Sequence, residues 1–123
     1  MTDLHLQSLT ALAVGLEAGD FSAVEVTDAL LGRIEAEGET LNAFVTVTAE
    51  QARAAAAEAD AKRASGNAGP LCGLPIVHKD IFCTRDVLTT CGSRMLDNFV
   101  APYDATVVAN FREAGAVTLG KTN

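Results

Sequence analysis

The stretch Gly69-Pro70-Leu71-Cys72-Gly73-Leu74-Pro75-Ile76-Val77-His78-Lys79-Asp80 decides how the rest of this chain is read. Turn formers from Gly69 to Gly73 lead into a short apolar run, which ends abruptly in His78, Lys79 and Asp80. An apolar run of that length, bounded by Gly and Pro, reads as a short and largely buried strand. Alternation puts Pro75, Val77 and Lys79 on one face and Ile76, His78 and Asp80 on the other. An unpartnered buried ammonium is costly, so a lysine there either escapes to solvent or has a task. The carboxyl ends of strands are where α/β folds build their sites. Lys79 is therefore a candidate base or charge stabiliser, set against the plainer reading of a solvated strand end.

Upstream of this stretch the periodicity is helical. Leu9, Leu12, Ala13 and Leu16 predict a helix over Ser8 to Ala18, which Gly19 can end. Ser22 and Glu25 form a capping box, in which the hydroxyl accepts from the third amide and the carboxylate reaches back to the first. The helix it opens carries Val26, Leu30 and Ile34 on one stripe and is expected to end near Glu37, at Gly38. Asn42 to Thr48 alternates and reads as a strand. Thr48 and Gln51 repeat the capping logic before an alanine-rich helix, Ala49 to Ala64, whose small side chains suit close packing. Downstream, Val87 to Thr90 reads as extended. Asp104 looks like the cap of a helix over Ala105 to Ala114, with Gly115 as its stop and Ala116 to Leu119 as a buried strand. Strand, helix, strand in that order predicts a βαβ unit and the α/β class.

Composition excludes several functions. The chain has 123 residues, 49% of them hydrophobic and 20% charged, which fits one globular domain and argues against disorder. Residues 1–60 hold eleven acids and two bases, while residues 61–123 hold five acids and seven bases, so the net −7 arises in the front half. Such a surface is poorly suited to a phosphate backbone. No run approaches the length needed to span a bilayer, and Met1-Thr2-Asp3-Leu4-His5 does not open a signal peptide, so the cytoplasm is expected. Cys72, Cys83 and Cys91 lack metal-ligand spacing with each other or with His5 and His78, so free thiols and no metal are expected. Cys91 as a nucleophile would need a base, and the sequence offers only His78. Gly120-Lys121-Thr122 echoes the end of a phosphate-binding loop but follows its strand with no loop between, so no nucleotide is expected there.

Four blocks carry a more specific signal. They are Gly69 to Asp80, then Thr89-Thr90-Cys91-Gly92-Ser93-Arg94-Met95-Leu96-Asp97-Asn98-Phe99, then Pro102-Tyr103-Asp104-Ala105-Thr106-Val107-Val108, and finally Gly115 to Asn123. Together they resemble the amidase signature family, with a likeness that reaches upstream through Leu41-Asn42-Ala43-Phe44. Within it they look most like the branch that supplies ammonia to a tRNA-dependent amidotransferase. The resemblance implies the N-terminal portion of an α/β amidase signature fold, with helices packed on a mixed sheet, as part of a single domain over residues 1–123. It implies a Ser–cis-Ser–Lys triad whose lysine matches Lys79. Both serines are expected in a Gly/Ser-rich stretch beyond Asn123, along with most glutamine-binding residues. Gly92 and Ser93 match a block near the family site and are second-tier candidates.

The chemistry implied is hydrolysis of glutamine. A neutral Lys79 would take the serine proton through the intervening serine, with desolvation of the strand favouring that neutral form. Asp80 should not pair with Lys79, because it points to the opposite face. The resemblance further implies B and C partner subunits and Glu-tRNA(Gln) bound through the complex. ATP and magnesium would be used by that complex and not by this chain. A stand-alone amidase and a non-catalytic scaffold are the alternatives. The 123-residue chain alone is expected to be inactive. It is also expected to be marginally stable, because both strands of the βαβ unit should need cover on two faces.

Overall fold

The computed structural model describes residues 3–123; Met1 and Thr2, which belong to the N-terminal stretch read as carrying no leader, lie outside the described residues. A 3-10 turn, Leu4–Leu6, precedes α1, Leu9–Ala18, and α2, Ala23–Leu41. Then come β1, Phe44–Val47, α3, Ala49–Ala64, and β2, Pro75–Lys79. A long connection holding a second 3-10 turn, Arg94–Leu96, leads to α4, Thr106–Glu113, and β3, Val117–Thr122. The sheet has the order β1-β3-β2, with β1 antiparallel and β2 parallel to the central β3. The α/β class, the mixed sheet and the βαβ unit are all present. No described helix is long and apolar enough to cross a membrane.

The core lies where the helices meet β3. Leu12 and Leu16 of α1, Val26 and Leu31 of α2, and Ala52, Ala56 and Ala59 of α3 pack with Leu74, Val117 and Leu119. The alanines recur at helical spacing on one face, so α3 approaches its neighbours closely. The close approach lets Asp60 of α3 accept from the amides of Ala23 (2.7 Å) and Val24 (3.1 Å), satisfying the first turn of α2. Ser22 and Glu25 complete the predicted capping box at the same end. The N-terminal helices therefore pack on a core that this chain itself supplies.

Four local expectations are corrected. Helix α2 runs through Gly38 to Leu41, because Asn42 adopts the left-handed conformation (φ 48°) and its amide closes on the Gly38 carbonyl at 2.7 Å. Thr48 does not cap α3; its hydroxyl donates instead to the Thr118 carbonyl of β3 at 2.9 Å. Asp104 does not cap α4, whose N-cap is Ala105. Its carboxylate accepts from the Arg85 amide (2.7 Å) and from both Nε and Nη2 of Arg112 (2.8 and 3.0 Å). That guanidinium and the Arg85 amide hold the Asp104 carboxyl below the usual range, against the opposing effect of its partial burial. Val87 to Thr90 makes a single antiparallel bridge, Leu88 with Val100, and no strand of its own.

The strands also differ from the expected two-sided burial. Strand β3 is central and buried at Val117, Leu119, Gly120 and Lys121, but β2 is an edge strand with Val77 and Lys79 exposed. Val45 and Val47 of β1 are exposed as well. Gly120 is required by the close pairing of β1 and β3: a Cβ there would lie 2.3 Å from the Thr46 carbonyl oxygen and 2.9 Å from a ring carbon of Phe44. Gly120→Ala should therefore cost about 1–3 kcal/mol through forced separation of the strands. Urea denaturation of the protein carrying this chain measures it, and an unchanged midpoint would contradict this packing. The exposed valines give a second expectation. The isolated 123-residue chain should bind a hydrophobic dye and associate at micromolar concentration, as ultracentrifugation would register.

Candidate functional site

Lys79 is the last residue of β2, at the carboxyl end of the parallel β2–β3 pair. Its side chain is exposed and makes no hydrogen bond or ion pair among the described residues. The desolvation expected for it is therefore not supplied by the elements described, because β2 lies at the sheet edge and its Val77–Lys79 face is open. Its backbone is firmly held. The Lys79 carbonyl accepts from Phe82 at 3.1 Å, closing a tight turn over residues 79–82. The Asp80 amide donates to the Thr122 carbonyl at 2.7 Å, and the Asp80 carbonyl accepts from Cys91 at 2.9 Å.

Asp80 turns away from Lys79, as alternation predicts, and finds a different lysine. Lys121 of β3 is fully buried, with its Nζ 3.5 Å from Asp80 Oδ1. The same ammonium donates to the Phe82 carbonyl (2.7 Å) and to Thr89 Oγ1 (3.1 Å). Burial pushes the Lys121 pKa below its ordinary value, and the Asp80 carboxylate works against that shift. Asp80 Oδ2 accepts from both the amide and the hydroxyl of Thr90, and Thr90 Oγ1 accepts in turn from the Gly92 amide at 3.1 Å. Asp80 Oδ1 has no hydrogen-bond partner among the described residues, so its link to Lys121 is a longer ionic contact. Sequence reasoning gives Lys121 no role beyond a rejected phosphate-loop echo. The signal that could have found it is its parity with the core residues Val117 and Leu119 on the same strand.

The second-tier residues lie on the turn that this network holds. Cys91 and Gly92 both take positive φ (54° and 70°), and an added Cβ on Gly92 would stand 3.6 Å from Asn123 Oδ1. Ser93 caps the 3-10 turn by accepting from the Met95 amide at 3.2 Å. Gly92 and Ser93 are thus brought to the end of β2 through Asp80, beside the Lys79 turn. His78 is not paired with Cys91. It is buried, with its Nε2 3.2 Å from Thr118 Oγ1 and its ring 5.9 Å from that of Phe111. All three cysteines are free. Among the described residues no three His, Cys, Asp or Glu side chains gather as a metal ion would need. A cavity of about 470 Å3 between α3, residues 84–87 and α4 is lined by Glu58, Lys62, Arg85, Asp86 and Arg112 but not by Lys79. Its charges are largely mutually engaged, since Lys62 pairs with Glu58 and Arg112 with Asp104.

Burial, aided by the Lys121 and Arg112 charges, lowers the His78 pKa from its usual 6.5. The unfolded chain would therefore take up a proton below pH 6.5 that the folded chain resists. The stabilising contribution is complete above 6.5 and is lost as pH falls towards the lowered folded value. Melting temperature should drop between pH 7 and pH 5, and His78→Phe should flatten that slope; an equal slope in the variant would contradict this assignment.

A family model described as Amidase matches residues 25–123. The amidase-family relative from Halorhodospira halophila, a glutamyl-tRNA(Gln) amidotransferase subunit, is 59% identical over 120 residues, an overlap covering 98% of this chain and 25% of that protein. The structure of the native peptide amidase from Stenotrophomonas maltophilia superimposes with a TM-score of 0.89 at 36% identity, covering 96% of this chain and 25% of that one. A bacterial aryl acylamidase of the amidase signature enzymes gives a TM-score of 0.90 at 25% identity, covering 99% of this chain and 26% of that one. The chain thus spans about a quarter of the length of the curated relatives it matches.

Proposed function

The chain belongs to the amidase family, and on that premise we propose that it forms the lysine-bearing part of a glutamine-hydrolysing amidotransferase subunit. The observation that carries this reading is Lys79 itself, an open side chain on a rigidly held strand end beside the Cys91–Gly92 turn. The name borne by its relatives supports the choice of glutamine as substrate. A serine elsewhere in the full-length enzyme attacks the amide carbon of glutamine. Its proton passes through a second serine to neutral Lys79, which returns it to the leaving nitrogen. Ammonia departs, and water then hydrolyses the acyl-enzyme to glutamate. The two serines and the cover that dries Lys79 would come from the remaining three-quarters of the length seen in the relatives.

The ammonia would pass to a B subunit, with a C subunit completing the complex. That complex would use ATP and magnesium to convert Glu-tRNA(Gln) to Gln-tRNA(Gln) in the cytoplasm. Neither the nucleotide nor tRNA is assigned to this segment, whose front half is acidic. A stand-alone amidase is the second reading, favoured by the likeness to the peptide amidase and aryl acylamidase. A pure scaffold role would make Lys79 dispensable.

In the full-length enzyme, Lys79→Ala should lower kcat for glutamine hydrolysis by about three orders of magnitude or more. Lys79→Arg should not rescue it, because arginine does not act as a neutral base. Near-parental ammonia release from either variant would remove Lys79 from the mechanism. The 123-residue chain alone should release no ammonia from glutamine, since no serine nucleophile is assigned within it. Steady turnover would direct attention to Cys91 or Ser93.

A further inference from the structure

The buried charges next to Lys79 have no part in the chemistry just described, yet they cost more than an apolar filling would. A buried ion pair is commonly matched or bettered in stability by packed hydrophobic side chains. Strand β3 nevertheless places Lys121, fully buried, where Val117 and Leu119 set an apolar precedent. Every polar contact of this lysine falls on the segment that follows Lys79: Asp80, Phe82 and Thr89. Asp80 extends the chain to Thr90, and Thr90 extends it to Gly92. The alternative anchors for Lys79 are few, because its own face of β2 is open and β2 is an edge strand.

We propose that the Lys121–Asp80–Thr90 chain is a positioning device that sets the Lys79 turn against the Cys91–Gly92 turn for the reaction proposed above. The inference rests on that reading of Lys79. Lys121, Asp80 and Thr90 touch no reacting atom; they act through the backbone of residues 79–82 and 90–92. Thr90 is the decisive link, since its one hydroxyl donates to Asp80 and accepts from Gly92. Misplacing a reacting group by about 1 Å can cost on the order of a hundredfold in rate.

The test uses the full-length enzyme, glutamine and measured ammonia release, with Lys79→Ala as the reference. Thr90→Val removes the hydroxyl at nearly constant volume. It should lower kcat about tenfold while KM stays within about twofold, and Thr90→Ser should restore kcat. Lys121→Met should lower kcat further; if that variant does not fold, the Thr90 pair still decides the question. A Thr90→Val kcat within about twofold of the parent overturns the proposal, as does a matching change in KM or a loss that Thr90→Ser leaves unrepaired. Active Lys79→Ala would instead overturn the proposed function. Inactive Lys79→Ala with a normal Thr90→Val would overturn only the positioning role.

Discussion

The burial of Lys121 against Asp80 is the constraint on which the second half of this chain depends. A lysine in the middle strand of a sheet must find partners or leave the core. Here it finds them in the connection after β2, which has almost no regular structure of its own. Phe82, Thr89 and Asp80 contribute a carbonyl, a hydroxyl and a carboxylate, and the connection is drawn down onto the ends of β2 and β3. The rest of its order is local: Asp86 and Thr89 donate to Ala101 and Phe99, and Asp104 locks Arg85 to Arg112. A segment that would otherwise be a mobile loop becomes a defined platform at the strand ends.

The elements that local chemistry decides were legible in the sequence. The Ser22–Glu25 capping box, the alanine-rich α3 and the Gly115 stop after α4 all stand where the sequence puts them. The misreadings share one cause. Thr48 and Asp104 are residue types that cap helices, and each has instead given its side chain to a distant partner, Thr118 in one case and Arg112 in the other. Local propensity cannot weigh a contact seventy residues away, such as Thr48 with Thr118. Asn42 in place of Gly38 as the end of α2 is a subtler case: both residue types can terminate a helix, and the later one does so here.

The site was legible in part, for a reason that lies in strand geometry. Lys79 stands out because an apolar run ends in it, and alternation correctly separates it from Asp80. Lys121 hides because a lysine after a short buried strand looks like a strand leaving the core. Only its parity with Val117 and Leu119 marks it as inward, and parity is blurred by the irregular register between β2 and β3 near His78. The expected drying of Lys79 failed on topology: β2 pairs with one neighbour here, so one of its faces stays open.

The two lysines end up with opposite environments although they lie on paired strand ends, with Lys79 aligned to Thr122, the residue after Lys121. Lys121 is enclosed and engages the Asp80 carboxylate at this end of the sheet. Lys79 faces outward and forms no ion pair among the described residues. The division follows from the strand pleat, because consecutive residues Lys79 and Asp80 cannot face the same way. The consequence is chemical: a carboxylate one residue from the candidate base is spent on a buried partner. The base keeps a rigid backbone without acquiring a counter-ion that would hold its proton. Structure and reactivity are thus served by one residue at position 80, through its backbone for the first and through the direction of its side chain for the second.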